Sequence, residues 1–108
     1  MIRLVLSTEA RNDLKAIQDY ISKEQESPQG ALKVIENILE RIERLISFPD
    51  TGTLLSPKIN FLSNYRYARA SGHLIFYRHE NSTIYVDRII HEKRDYITIL
   101  FPDSGDTP

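Results

Sequence analysis

Ile2-Arg3-Leu4-Val5-Leu6 opens the chain as a short apolar run that stops at Ser7 and Thr8, the length and composition of a strand. The period of the apolar positions then changes. Leu14, Ile17 and Ile21 recur every three or four residues with Ala10 and Tyr20 alongside, while Arg11, Asp13, Lys15, Asp19 and Lys23 fall on the other side. That spacing predicts an amphipathic helix. Either Ser7 or Thr8 can cap it, and Glu9 sits where the helix dipole favours an acid. Ser27-Pro28 supplies a second cap followed by the residue best suited to a first helical position. Behind it Ala31, Val34, Ile35, Ile38, Leu39, Ile42, Leu45 and Ile46 form an unbroken stripe, so two amphipathic helices joined by a short loop are expected, a helical hairpin.

Phe48-Pro49-Asp50-Thr51-Gly52 ends the second helix, and a loop containing Pro57 leads to Asn60; proline cannot continue a helix. Aromatic and β-branched residues then cluster in three runs, Tyr65 to Ala70, His73 to His79 and Thr83 to His91. The breaks at Ser71-Gly72 and Glu80-Asn81-Ser82 are short enough for hairpins, which predicts an antiparallel meander. A small sheet must cover its apolar face, and the two helices can do so. The fold class expected is therefore α+β, with an N-terminal strand, a helical hairpin packed on one side of a three-stranded meander, and a last short helix over residues 93–101. Residues 1–101 form one domain in this reading, and 102–108 a frayed tail.

Composition narrows the function classes. With 41% hydrophobic and 27% charged residues over 108 positions, the chain is a globular protein rather than a disordered one. It has no Cys, which excludes disulfide scaffolds, thiolate zinc sites and cysteine nucleophiles. No apolar run approaches the roughly 18 residues of a membrane span, and the opening strand is too short and wrongly flanked for a signal peptide. A cytoplasmic protein without membrane contact is expected. The net charge of −1 is not that of a basic nucleic-acid binder. Its distribution says more: residues 1–62 carry eight Lys/Arg against nine Asp/Glu (−1), residues 63–101 six against four (+2), and the tail adds Asp103 and Asp106 (−2).

The stretch Val86-Asp-Arg-Ile-Ile-His-Glu-Lys-Arg-Asp-Tyr96 runs from a strand into a cluster of His, Arg, Lys and Tyr. A metal-independent ribonuclease needs a group to take the 2′-hydroxyl proton, a donor for the leaving oxygen and cations for the phosphorane. His91, Lys93, Arg94 and Tyr96 have the chemistry for those roles. The structural reading of the same residues is ordinary: His91 caps a carbonyl at a strand end, Asp87 and Arg88 point to opposite faces with separate partners, Arg66, Arg69 and Arg78 are solvated, and Tyr65 and Tyr67 pack. No metal site or cofactor is expected. His73 and His79 lie roughly 20 Å apart at about 3.3 Å per strand residue, and no glycine-rich phosphate loop is present. Ile97, Ile99, Leu100 and Phe101 form an apolar cluster that one short helix cannot bury on a single side, so it meets a partner or the domain's own core.

Several pieces together resemble a known family. Phe48-Pro49-x-x-Gly52, Tyr65-Arg66, Leu74-Ile-Phe-Tyr-Arg78 and Arg88-Ile-Ile-His-x-x-Arg-Asp95, in the order strand, helical hairpin, meander, are similar to toxins of the RelE/ParE superfamily of type II toxin–antitoxin systems. The Ile-Phe-Tyr-Arg strand and the His-x-x-Arg-Asp ending look more like the ParE branch, whose members poison DNA gyrase. The resemblance implies a toxin that inhibits gyrase and is neutralised by a cognate antitoxin in a toxin–antitoxin hetero-oligomer, with Ile97, Leu100 and Phe101 as antitoxin contacts. The alternative it implies is a RelE-like nuclease cutting messenger RNA in the ribosome, for which Arg94 and Tyr96, with Arg66 on the earlier strand and His91, are the site residues. RelE-like nucleases are usually markedly basic, and this chain is not. A third alternative is a non-toxic antitoxin-binding module.

Overall fold

The computed structural model describes residues 1–56 and 63–102, and within them the chain runs β1 (Arg3–Leu6), α1 (Thr8–Glu24), α2 (Pro28–Ser47), β2 (Thr53–Leu54), β3 (Arg66–Ala70), β4 (His73–Glu80), β5 (Thr83–His91) and α3 (Tyr96–Leu100). The expected loop around Pro57 and all but the first residue of the expected tail lie outside the described residues. The strands make one sheet in the order β1-β5-β4-β3-β2. The meander β3-β4-β5 is antiparallel as its spacing predicts, and β1 extends it by pairing parallel with β5, Arg3 opposite Thr83 and Leu6 opposite Val86. The two-residue β2 adds to the other edge through Thr53–Tyr67 and Leu54–Arg66. Two exposed residues after a turn carry no strand periodicity, so sequence reading misses it.

Both hairpins turn on two residues with positive φ, Ser71 and Gly72 at 50° and 77°, and Asn81 and Ser82 at 51° and 63°. Such turns match the right-handed twist of the strands they join. Of the two candidate caps of α1, Ser7 is the one used: its Oγ accepts from Ala10 N at 2.9 Å and donates to the Asp87 carbonyl at 2.7 Å, so one hydroxyl starts the helix and ties it to β5. Ser27 Oγ accepts from Gly30 N at 3.0 Å and starts α2. α3 begins at Tyr96, later than residue 93. A turn closed by Arg94 N to the His91 carbonyl intervenes, and Asp95 then caps the helix through Thr98 N.

α1 and α2 lie on one face of the sheet, where Ala10, Ile38, Ile42 and Leu45 meet Ile75, Tyr77, Ile84 and Val86 in a buried core. The α2 stripe is wider than its contact: Ala31, Ile38, Ile42 and Leu45 are buried, whereas Leu39 and Ile46 remain exposed on its shoulder. The opposite face has its own cluster of Leu55, Leu74, Phe76 and Ile90, and the C-terminal segment from Tyr96 to Phe101 packs on it. The domain's own core therefore takes up the apolar C-terminal cluster, at least in part, since those side chains stay half-buried. Tyr77, fully buried, joins the turn after α2 to the sheet by accepting from Gly52 N at 2.9 Å and donating to the Pro49 carbonyl at 2.8 Å.

Candidate functional site

The chemistry-bearing residues of β5 and the turn after it are arranged by a register shift. Phe76 faces Arg88 and Tyr77 faces Val86, which leaves Asp87 as the extra residue of a β-bulge. A bulge bends its strand and re-aims a side chain. Here the Asp87 carboxylate accepts from Tyr65 Oη at 2.7 Å and from Arg78 Nε at 2.7 Å, while Arg78 also reaches Glu80 at 2.9 Å and lies 4.8 Å over the Tyr85 ring. Burial, followed by the Asp87 carboxylate, pushes the Tyr65 phenol up to about 12. Arg88 turns the other way, to Asp13 of α1. Its Nε and Nη2 donate to the two carboxylate oxygens at 2.8 and 3.0 Å, and Ile89 N donates to the same group at 2.8 Å. The adjacent Asp87 and Arg88 thus have separate partners, although the bulge interrupts the alternation expected to point them to opposite faces.

Charge pairing accounts for most of the local cationic excess. Arg66 donates to the carbonyls of Gly52 and Asp50 at 2.9 and 3.2 Å, and Arg69 pairs with Glu92 at 2.5 and 3.0 Å. With Arg78 and Arg88 engaged as above, the cations of residues 63–101 that have no acidic partner among the described residues are Lys93 and Arg94. The strand arginines are bound to the protein's own acids and carbonyls rather than simply solvated.

His91 sits at the exposed end of β5 and packs edge-on against His73, ring centroids 5.1 Å apart at 83°. The role expected of it, capping a carbonyl, belongs to His73 instead, whose Nδ1 lies 3.0 Å from the Ser71 carbonyl and must donate to it. His91 Nδ1 accepts from Lys93 N at 3.1 Å. That contact takes up the lone pair on Nδ1 and, in the neutral ring, places the hydrogen on Nε2. Burial lowers the pKa of His73.

Arg66, His91, Arg94 and Tyr96 do not converge. Arg66 pairs with Tyr77 and Ala70 with His73, itself opposite His91, so Arg66 and His91 are about 13 Å apart along the strand direction alone. Arg94 borders a groove of about 650 Å³ on the helix-covered face, between α1, α2 and the ends of β4 and β5. Tyr96 packs on the other face, its ring 5.3 Å from Phe76. Ile97, Leu100 and Phe101 line the same second face, Phe101 edge-on to Tyr65 at 5.8 Å. Sequence reasoning missed Asp13 and the groove. Asp13 reads as one of several outward charges on α1, and its partners lie 75 and 76 positions away. Among the described residues there is no cluster of three or more His, Asp or Glu able to hold a metal ion, and no helix is long and apolar enough to cross a membrane.

Residues 4–96 match the family described as the ParE toxin of type II toxin-antitoxin system, parDE. Among solved structures, a chain from the chromosomal ParDE TA system of P. aeruginosa shares the fold, with a TM-score of 0.67 and 23% identity over 84% of this chain and 96% of that one. No curated protein matches the sequence.

Proposed function

The chain belongs to the ParE toxin family of type II toxin–antitoxin systems, and on that premise we propose that it is a cytoplasmic inhibitor of DNA gyrase held inactive by a cognate antitoxin. The observation that supports gyrase over messenger RNA is the dispersal of the four groups a nuclease would use: Arg66 and His91 sit at different levels of the sheet, and Arg94 and Tyr96 on different faces. Proton transfer needs its donor and acceptor within about 3 Å of one reacting atom. His91 is further engaged, its lone pair taken by Lys93 N. The pairing of Arg66, Arg69, Arg78 and Arg88 also leaves little unpaired positive charge for an RNA backbone. A gyrase inhibitor asks no chemistry of these side chains, only a surface.

The antitoxin is proposed to cover the α3 face through Ile97, Leu100 and Phe101, half-buried side chains that pack on the second cluster. The product is a toxin–antitoxin hetero-oligomer. The deciding experiment adds purified protein to gyrase in a supercoiling assay and, in parallel, to ribosomes translating a defined message. Blocked supercoiling or accumulated gyrase-dependent DNA breaks, relieved by the antitoxin and with the message intact, is the expected result. Message cut in the ribosome by the wild type but not by Arg94→Ala, with gyrase unaffected by either, overturns the reading.

A further inference from the structure

The groove at the ends of β4 and β5 has a chemistry that gyrase inhibition does not call on. Its volume of about 650 Å³ falls in the range of small-molecule sites, roughly 300–1,000 Å³. Ile17 and Ile21 of α1 and Val34 of α2 form an apolar side, and His73, His91 and Arg94 a polar end. Counting charge at that end decides what it can hold. Asp13, also on the lining, is closed off by the Arg88 fork and Ile89 N. His91 accepts from Lys93 N through Nδ1 and presents an Nε2 with no hydrogen-bond partner among the described residues, and His73 uses its Nδ1 hydrogen on the Ser71 carbonyl. Arg94 remains as a full positive charge with five donors and no acidic partner among the described residues.

We propose that this groove binds a small organic monocarboxylate, its apolar body on Ile17, Ile21 and Val34 and its carboxylate on the Arg94 guanidinium. A carboxylate matches the planar fork of arginine with two parallel hydrogen bonds. One unpaired cation on the lining balances one negative charge; Lys93, also without an acidic partner among the described residues, is not part of that lining. A phosphate monoester, with a charge of about −1.5 to −2 at neutral pH, would leave charge uncompensated by the single Arg94 guanidinium. A neutral ligand would leave the guanidinium without a partner. The apolar side supplies affinity and Arg94 sets orientation and selectivity, the usual division in such sites.

The test uses the full chain, amide-detected NMR and three probes: phenylbutyrate, its neutral amide, and phenyl phosphate. Phenylbutyrate should shift the amides of Ile89 to Arg94 and of Ile17 to Ile21 in a saturable way. The neutral amide should bind about tenfold or more weakly, the worth of a hydrogen bond to a charged group, and phenyl phosphate should also bind less well. Arg94→Gln, at an exposed position, should keep the dispersed spectrum and bring phenylbutyrate down to the level of its amide. Equal affinity for carboxylate and amide in the wild type, tighter binding of the phosphate, or shifts mapping to another face would overturn the proposal, and none of these depends on the variant folding.

Discussion

Tyr77 connects parts of the chain that its apolar surroundings would not bring together. Its hydroxyl serves both Gly52 N and the Pro49 carbonyl inside the protein, so Tyr77→Phe removes little volume but strands two backbone groups. Leaving a buried donor or acceptor unpaired costs about 1–3 kcal/mol, and urea denaturation of Tyr77→Phe should show a loss in that range with an unchanged slope. Tyr65 carries a pH signature. Its phenol titrates at about 12 in the folded chain against 10.0 for an unperturbed tyrosine. A group whose folded pKa is raised contributes stability that is complete below the unfolded value and is lost as pH rises through the folded one. Stability should therefore fall between pH 10 and about 12. Burial moves Tyr77 in the same direction, so Tyr65→Phe should flatten that loss in part; an unchanged alkaline limb in thermal melts would contradict the assignment.

At the scale of elements, α1 does more than cover the sheet. β1 ends at Leu6, opposite Val86, and among the described residues the next part of β5 has no strand beside it on that edge. Asp13 takes the place of a strand there by accepting Ile89 N and holding Arg88. Asp13→Ala leaves a partly buried guanidinium and a backbone N–H without partners. A loss of about 1–3 kcal/mol is expected, together with faster hydrogen exchange at the Ile89 amide than at Ile75 in the middle of β4. Equal exchange would mean that β5 is held by the meander alone. The same element shows where sequence patterns stop being informative. Helical periodicity identifies Asp13 as outward-facing on α1, but whether outward means solvent or the edge of a strand depends on where β5 ends up.

Across the molecule, the sheet is covered on both faces, by the helical hairpin on one and by the C-terminal segment on the other. The two covers differ in depth. Ile38 is fully buried, and Ile38→Asp should cost several kcal/mol by placing a carboxylate in the core, enough to abolish the cooperative melt or displace it far downward. Phe101 is only partly buried, so Phe101→Ser should cost about 1–3 kcal/mol, below the roughly 3–5 of a fully buried phenylalanine truncation. A Phe101→Ser protein that melts with the wild type would show that the second cluster holds without its outer layer.

Element types, the hairpin of helices, the meander and its turn residues were all legible in the chain, because each depends on the period of neighbouring side chains or on a cap and turn a few residues long. The family resemblance was legible for the same reason, carried by short pieces such as Phe48-Pro-x-x-Gly52 and Leu74-Ile-Phe-Tyr-Arg78 in a fixed order. What only the tertiary structure decided joins distant positions. The parallel seat of β1, the two-residue β2, the bulge at Asp87, the Asp13–Arg88 pair and the second covered face each bring together groups that no local pattern relates. The candidate site divides the same way. Its residue types could be read in order along Val86 to Tyr96, but a bulge and a turn send Arg88, Arg94 and Tyr96 to different neighbours. Chemistry depends on that three-dimensional convergence, and adjacency in sequence does not supply it.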